Sequence, residues 1–147
     1  MEVFETTSTS ETHALGVRLG QKARPGDVYA LDGDLGAGKT VLTQGIAQGL
    51  GIDRPVTSPT FTILQVHEGG RLPLYHFDAY RLEDVSELYE IGGDEVLDGT
   101  GVCVVEWAER ILEALPPHTV RIRLEYMPAR GPEVRRVTID GSNREEA

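Results

Sequence analysis

A glycine-rich segment followed by Lys39 and Thr40 is the part of the sequence best suited to chemistry. It matches the pattern G-x-x-x-x-G-K-[ST], the phosphate-binding loop, at Gly33, Gly38, Lys39 and Thr40. The glycines let successive backbone N–H groups turn inward around a phosphate, and a helix that begins beside them adds the positive end of its dipole. Lys39 brings a point charge to the β- and γ-phosphates, and the Thr40 hydroxyl is a candidate Mg²⁺ ligand. The pattern predicts binding of a nucleoside triphosphate.

Two carboxylates that follow apolar runs are further candidates. Asp78 comes after the run at 74–77, and Glu106 comes after the run at 102–105. In folds that carry a phosphate-binding loop, ligands collect at the carboxyl ends of the strands. An acid at that position holds Mg²⁺ directly or through water, or positions the attacking water. The pattern leaves open which of the two acids is the metal ligand.

The elements around these residues predict an α/β fold. The apolar run 28–31 predicts a buried strand before the loop, and segment 41–50 predicts a helix after it. A short strand at 3–6 and a helix that begins among the capping residues 7–10 precede them. Further strands are predicted at 61–66, buried on much of both faces, and at 72–77, 119–126 and 134–140.

The turn at 68–70 fixes the character of the sheet. Strands joined by so short a turn must be antiparallel, so the sheet is mixed rather than purely parallel. The expected architecture is a P-loop NTPase-like three-layer sandwich with a mixed parallel and antiparallel sheet. We expect one domain over residues 1–141 and a loose tail over 142–147.

Composition limits the class of protein. The chain of 147 residues has a formal net charge of −10, which argues against a protein that grips nucleic acid over its whole surface. Its one cysteine, Cys103, lies in an apolar run and is predicted to be a core residue. The four histidines are scattered without metal-ligand spacing, which argues against a structural zinc site. The sequence shows no membrane span and no basic leader, so a cytoplasmic protein is expected.

Charge is distributed unevenly along the chain. Residues 83–115 hold ten acidic side chains and one basic one, which predicts a solvated helical face or, as the competing interpretation, a docking surface for a basic partner. Six of the fourteen basic residues lie between Arg121 and Arg144. Arg121 and Arg123 alternate with apolar residues, as on a strand with one wet face, and contact with RNA or a partner is the alternative.

Taken together, four motifs resemble the TsaE family, also called YjeE. They are LDGDLGAGKT (31–40), SPTFTI (58–63), LYHFDAYRLED (74–84) and VCVVEWAE (102–109). The resemblance implies a weak, Mg²⁺-dependent ATPase of tRNA threonylcarbamoyladenosine synthesis, with ATP or ADP and Mg²⁺ as cofactors. It also implies that the protein acts together with a complex of TsaD and TsaB. That complex transfers a threonylcarbamoyl group to the adenosine beside the anticodon in tRNAs that read ANN codons. The ATPase would support repeated turnover of that complex, so that tRNA is a partner at least indirectly.

The resemblance also implies roles for single residues. Lys39, Asp78 and Glu106 would be catalytic, with Thr40, Glu106 and Asp78 at the metal. Trp107 would anchor the loop after Glu106, and residues 58–60 would form a switch that senses the γ-phosphate. The nucleotide-binding residues that the resemblance implies are Thr12, Gly33, Gly36, Ala37, Gly38, Lys39, Thr40, Val41, Ser58, Thr60 and Trp107.

Two of these positions carry a reservation. On the sequence alone, Thr12 is equally well a solvated polar residue in the first turn of its helix. Val41 stands where many members of the family have a second threonine, so a hydroxyl contact is lost there while the backbone N–H remains.

Three other functions share the phosphate-binding loop. A small-molecule kinase would need an acceptor pocket and an arginine-bearing lid, and only Arg81 is near a candidate acid. A GTPase switch would need a guanine reader, and the chain has no N-K-x-D motif. A nucleotide-binding scaffold without hydrolysis would leave Asp78 and Glu106 unexplained.

Overall fold

In the computed structural model, residues 1–33, 38–53, 56 and 63–141 are described, and within them a seven-stranded sheet forms the centre of the molecule. Its strand order is β1-β7-β6-β2-β5-β4-β3. The strands are β1 (Glu2–Thr6), β2 (Val28–Gly33), β3 (Leu64–His67), β4 (Leu74–Asp78), β5 (Val102–Glu106), β6 (Val120–Tyr126) and β7 (Arg135–Asp140). Strands β6, β2, β5 and β4 are parallel, whereas β3, β7 and β1 each pair antiparallel with a neighbour. The predicted mixed sheet is confirmed.

Helices cover both faces of the sheet. Helices α1 (Thr9–Lys22) and α2 (Lys39–Gly49) pack on one face, against the even-numbered residues of β5 such as Val104. Helices α3 (Val85–Glu90) and α4 (Gly93–Leu97) and the 3₁₀ segments Ala79–Arg81 and Ala108–Ala114 lie over the other face, with Cys103 and Val105. Both side-chain sets of β5 are buried, because the strand lies inside a three-layer sandwich. The predicted architecture is confirmed.

Four glycines let α1 and α2 approach unusually closely. A Cβ added to Gly16 of α1 would overlap the carbonyl oxygen of Leu42 and lie 3.0 Å from the Cα of Gly45. A Cβ added to Gly45 would in turn overlap the carbonyl oxygen of His13. Gly20 and Gly49 repeat the arrangement one turn along. The crossing fixes α2, whose first residue is Lys39, against the helix that carries Thr12.

Strand β3 corrects one expectation. The run at 61–66 was predicted to be a strand buried on much of both faces, but β3 begins at Leu64, and Val66 is 48% exposed. The physical reason is position: β3 is the last strand of the sheet and pairs only with β4 among the described residues. Residues 61 and 62 lie outside the described part, as does the predicted tail 142–147.

The predictions for Cys103 and for strand β6 are confirmed. Cys103 is buried, its thiol contacts the Val96 carbonyl, and burial raises the pKa of that thiol to about 12. Arg121 and Arg123 are exposed and alternate with buried Ile122 and Leu124, so β6 has one wet face. In the part of the chain that the structure describes, no helix has the length and apolar character needed to cross a membrane.

Candidate phosphate-binding site

At Gly38, the described end of the phosphate-binding pattern, the backbone conformation favours glycine. Gly38 precedes the helix with φ 105°, a left-handed conformation that side chains rarely adopt, and offers no side-chain cap. A Cβ at this position would lie 3.6 Å from Cγ2 of Thr12 and 3.5 Å from Cδ2 of Leu124. The start of α2 therefore lies beside Thr12. The first N–H groups of a helix lack partners within the helix, and they are the groups that bind anions.

Sheet register brings both predicted acids to this end of the molecule. Glu106, the last residue of β5, pairs with Leu31 of β2 on one side and with Asp78 of β4 on the other. All three strands are parallel, so their carboxyl ends meet at the same edge of the sheet. Lys39, at the start of the helix that follows β2, lies at the same edge and contacts Glu106.

Glu106 is held between two basic side chains. Its Oε1 lies 4.0 Å from Nζ of Lys39, and its Oε2 lies 2.6 Å from Nε2 of His76. All three residues are buried, and His76 is fully so. The carboxylate offsets the buried ammonium charge, which would be costly if it were unpaired. His76 was missed by sequence analysis, which counted it among the scattered histidines, although its two-residue spacing from Asp78 placed both on one face of the strand.

Asp78 is engaged differently. Its Oδ1 accepts the backbone N–H of Tyr80 at 3.1 Å, and its Oδ2 lies 3.3 Å from Nε of Arg81. Asp78 thereby caps the 3₁₀ segment that follows β4. Asp78 is thus engaged by neighbours in its own segment, whereas Glu106 is engaged by Lys39 and His76 from other elements.

Trp107 covers Lys39 from the solvent side. Nζ of Lys39 lies 5.2 Å from the centroid of the indole ring, and the Tyr80 ring centroid lies 4.9 Å from that of the indole. Trp107 has φ 58°, the one positive φ among the described non-glycine residues, and is 39% exposed. This conformation turns the chain sharply after Glu106 and returns the indole over the site. Arg110 in turn lies over the Tyr80 ring at 5.0 Å.

Comparison with known proteins decides the family. The family model described as "Threonylcarbamoyl adenosine biosynthesis protein TsaE" matches residues 6–136. The chain belongs to the TsaE family. It is 52% identical over 119 residues to the tRNA threonylcarbamoyladenosine biosynthesis protein TsaE of Bacillus subtilis, covering 81% of this chain and 74% of that protein. The TsaE of Treponema pallidum is 47% identical, covering 82% and 88% of the two chains.

A solved structure agrees with this assignment. The crystal structure of Bacillus subtilis YdiB superposes with a TM-score of 0.78 at 41% identity, covering 94% of this chain and 83% of that one. The resemblance drawn from the four motifs is thus confirmed. The family takes part in biosynthesis of threonylcarbamoyladenosine in tRNA, as the names of its members state.

Within this TsaE chain, Thr12 is not a solvated residue. It is buried, its hydroxyl shares a 2.7 Å hydrogen bond with that of Thr6, and it also reaches the Ser8 carbonyl at 3.3 Å. The burial follows from the packing of α1 beside β1 and Gly38. That packing was invisible in the helix pattern alone.

The structure places the remaining predicted site residues as follows. Gly33 ends β2, and Thr40 and Val41 lie half-buried in the first turn of α2. Gly36, Ala37, Ser58 and Thr60 lie outside the described residues. Nine predicted positions are therefore described, counting Asp78 and Glu106, and they gather around the turn into α2 and the ends of β2, β4 and β5.

The oxygen donors present fit Mg²⁺. A hydroxyl on Thr40 and a carboxylate on Glu106 are hard ligands, and Mg²⁺ bound with nucleotides needs only one or two protein ligands besides phosphate and water. Accordingly, the described residues contain no group of three or more His, Cys, Asp or Glu side chains that could hold a metal. The hydroxyl and carboxylate oxygens suit a metal that arrives with a phosphate ligand.

Proposed function

We propose that this chain is the ATP-hydrolysing accessory subunit of tRNA threonylcarbamoylation, supporting repeated turnover of a TsaD and TsaB complex in the cytoplasm. One observation carries the proposal: Lys39 and Glu106 meet at the carboxyl end of β5, beside the strand that enters the phosphate-binding loop. Membership of the TsaE family supplies the pathway. The presence of two acids at neighbouring strand ends favours hydrolysis over a nucleotide-binding scaffold.

The site residues divide into those that bind phosphate and those that hold metal. Lys39 and the first N–H groups of α2, including that of Val41, would hold the phosphates of ATP, with Thr12 and Trp107 beside the nucleotide. Thr40 and Glu106 would hold Mg²⁺, which neutralises charge on the β- and γ-phosphates when it is bound. Asp78, which accepts the Tyr80 N–H and is ion-paired with Arg81, would act through water.

The pairing of Lys39 with Glu106 would allow each side chain to exchange its partner when nucleotide and Mg²⁺ bind. Without nucleotide, the two buried charges offset one another across 4.0 Å. With nucleotide, Lys39 would turn to phosphate and Glu106 to Mg²⁺, so each charge would gain a new partner when it lost the old one. Neither state buries an unpaired charge, which keeps the cost of exchange low.

Loss of the γ-phosphate gives hydrolysis a way to act on partners. Residues 58–60, including Ser58 and Thr60, would form a switch segment that contacts the γ-phosphate. Such segments are ordered by phosphate and metal and are released after hydrolysis. The surface offered to the TsaD and TsaB complex would then differ between the ATP and ADP states.

The partner would dock on an acidic surface formed by α3, α4 and the segment after β5. Acidic side chains at nine positions are exposed or half-exposed there: Glu83, Asp84, Glu87, Glu90, Asp94, Glu95, Asp98, Glu109 and Glu113. Tyr89, Ile91 and Leu112 are each about half exposed among them. Apolar side chains within a rim of one charge suit a partner with a complementary basic surface.

Reversing two of these charges tests the docking surface. We expect Glu87→Lys with Glu90→Lys to weaken binding to the TsaD and TsaB complex about tenfold at low salt, because like charges would then face each other. Titration of the labelled complex would measure the affinity. The control is Glu2→Lys with Glu68→Lys, which makes the same charge change at exposed positions outside this surface. Equal affinity of both double variants and wild type would show that the partner binds elsewhere.

Hydrolysis with and without partners tests the function itself. We expect weak ATP hydrolysis by the purified chain and faster hydrolysis when TsaD, TsaB and tRNA from the same source are added. Multiple-turnover tRNA modification should depend on hydrolysis. Partner-independent hydrolysis with a phosphorylated acceptor would instead favour a kinase, and preference for GTP would favour a GTPase switch.

A further inference from the structure

We propose that His76 is a positioning residue, which fixes the Glu106 carboxylate so that the oxygen not bonded to His76 faces Lys39 and the metal. The inference rests on the proposed function, since it takes Glu106 to be a Mg²⁺ ligand. It adds a residue that neither the phosphate-binding pattern nor the strand-end acids identify.

The hydrogen bond between the two side chains has a defined direction. In the proposed function Glu106 holds Mg²⁺ as a carboxylate, and an ionised carboxylate only accepts hydrogen bonds. Nε2 of His76, 2.6 Å from Oε2, must therefore carry the proton and donate it. Nδ1 is buried without a hydrogen-bond partner among the described residues. A bare acceptor is tolerated there better than an orphan N–H, so the geometry assigns the tautomer with its proton on Nε2.

His76 is well placed to orient another group because its own backbone is fixed on both sides. It lies in the middle of β4, opposite Val104 of β5 and Gln65 of β3. Its side chain is fully buried, so the ring cannot swing into solvent. Rotation of the Glu106 carboxylate out of its present plane would break the 2.6 Å bond, so the oxygen that does not face His76 is kept toward Lys39.

The free-energy cost of burying the His76 imidazole argues that this residue has a role at the site and is not there only for core packing. Burying an imidazole with one ring nitrogen unpaired costs free energy that an apolar residue would not. Its described polar contact is with the candidate metal ligand, whereas its neighbours Leu74 and Phe77 on the same strand are fully buried and apolar. Groups that orient metal ligands in this way typically change metal affinity about 10–100-fold when they are removed.

Two substitutions separate positioning from packing. His76→Gln keeps an N–H donor near the position of Nε2, whereas His76→Met fills similar space without a donor. His118→Gln is the matched control, because Nε2 of His118 contacts the Gly26 carbonyl at the opposite, amino-terminal end of β2. For each variant, thermal unfolding and the Mg²⁺ dependence of fluorescent mant-ADP binding would be measured.

We expect His76→Met to need about tenfold more Mg²⁺ for half-maximal tightening of mant-ADP binding, and His76→Gln to recover most of that loss. His118→Gln should match wild type. Equal Mg²⁺ dependence of His76→Met and wild type, or equal losses in the Met and Gln variants, would overturn the inference. If Glu106→Gln leaves Mg²⁺ dependence unchanged, the metal role of Glu106 itself is wrong, which is a separate failure.

A double variant and a spectrum complete the test. In a Glu106→Gln background, His76→Met should have little further effect on Mg²⁺ dependence, because the residue through which it acts is already changed. Nitrogen NMR of ¹⁵N-histidine-labelled wild type should show His76 protonated at Nε2 and bare at Nδ1. A proton on Nδ1 instead would overturn the inference even if the variants failed to fold.

Discussion

Lys39→Ala is expected to abolish measurable ATP hydrolysis, lowering kcat by about 10²–10³-fold. The ammonium group of this lysine lies 4.0 Å from the buried carboxylate of Glu106, and the residue lies in the first turn of the helix that follows the phosphate-binding loop. Alanine cannot bring positive charge to the γ-phosphate, where charge develops during transfer. Steady-state release of phosphate at saturating ATP would measure the loss.

Lys22→Ala is the matched control, because the chain contains only these two lysines. Lys22 lies exposed at the end of α1, so its removal makes the same change in net charge without touching the site. It should hydrolyse ATP at the wild-type rate. Retention of activity in Lys39→Ala would mean that the loop serves another ligand.

Substitutions of Lys39 and of Glu106, the buried pair, should weaken nucleotide binding in different ways. Lys39 would contact phosphate directly, so Lys39→Ala should weaken nucleotide binding on the order of tenfold or more even without Mg²⁺. Glu106→Gln should leave Mg²⁺-free binding largely intact and remove only the tightening that Mg²⁺ provides. Nucleotide titrations with Mg²⁺ and with EDTA would separate these patterns. Identical behaviour of the two variants would contradict the division of roles.

Local patterns in the sequence predict what depends on neighbouring residues. The phosphate-binding loop, the apolar strand before it and the short turn at 68–70 are each contained in a few residues, and the sheet was correctly predicted to be mixed. The acids at 78 and 106 were also placed at strand ends, because an apolar run that stops at a carboxylate is visible in one dimension.

Contacts between distant segments were not predictable in this way. The bond from His76 to Glu106 joins residues that are 30 positions apart in the sequence. It forms because β4 and β5 lie side by side in the sheet in parallel register. Burial of Thr12 depends likewise on Thr6 and on the turn into α2. The exposure of Val66 depends on β3 being the last strand. Periodicity specifies which face a residue occupies, but not which element lies opposite.

The glycine crossing of α1 and α2 is a second contact of this kind, and Gly16→Ala is expected to destabilise the protein by about 1–3 kcal/mol. In an ordinary helix the same substitution is stabilising by roughly 1 kcal/mol, because glycine is a poor helix former. Here the new Cβ would overlap the Leu42 carbonyl oxygen, which belongs to backbone that cannot move without shifting α2. The sign of the change therefore reports the close approach directly. Denaturant unfolding of both proteins would measure it.

Ser10→Ala provides the reference for helix propensity, since Ser10 is exposed in the same helix and should gain slightly or stay neutral. Gly45→Ala should resemble Gly16→Ala, because its Cβ would overlap the His13 carbonyl oxygen across the same crossing. The double variant should cost less than the sum of the singles, as helices already forced apart by one methyl group accommodate the second more easily. Because Lys39 begins α2, the separation should also weaken nucleotide binding. A stabilised Gly16→Ala protein would contradict the crossing as it is described.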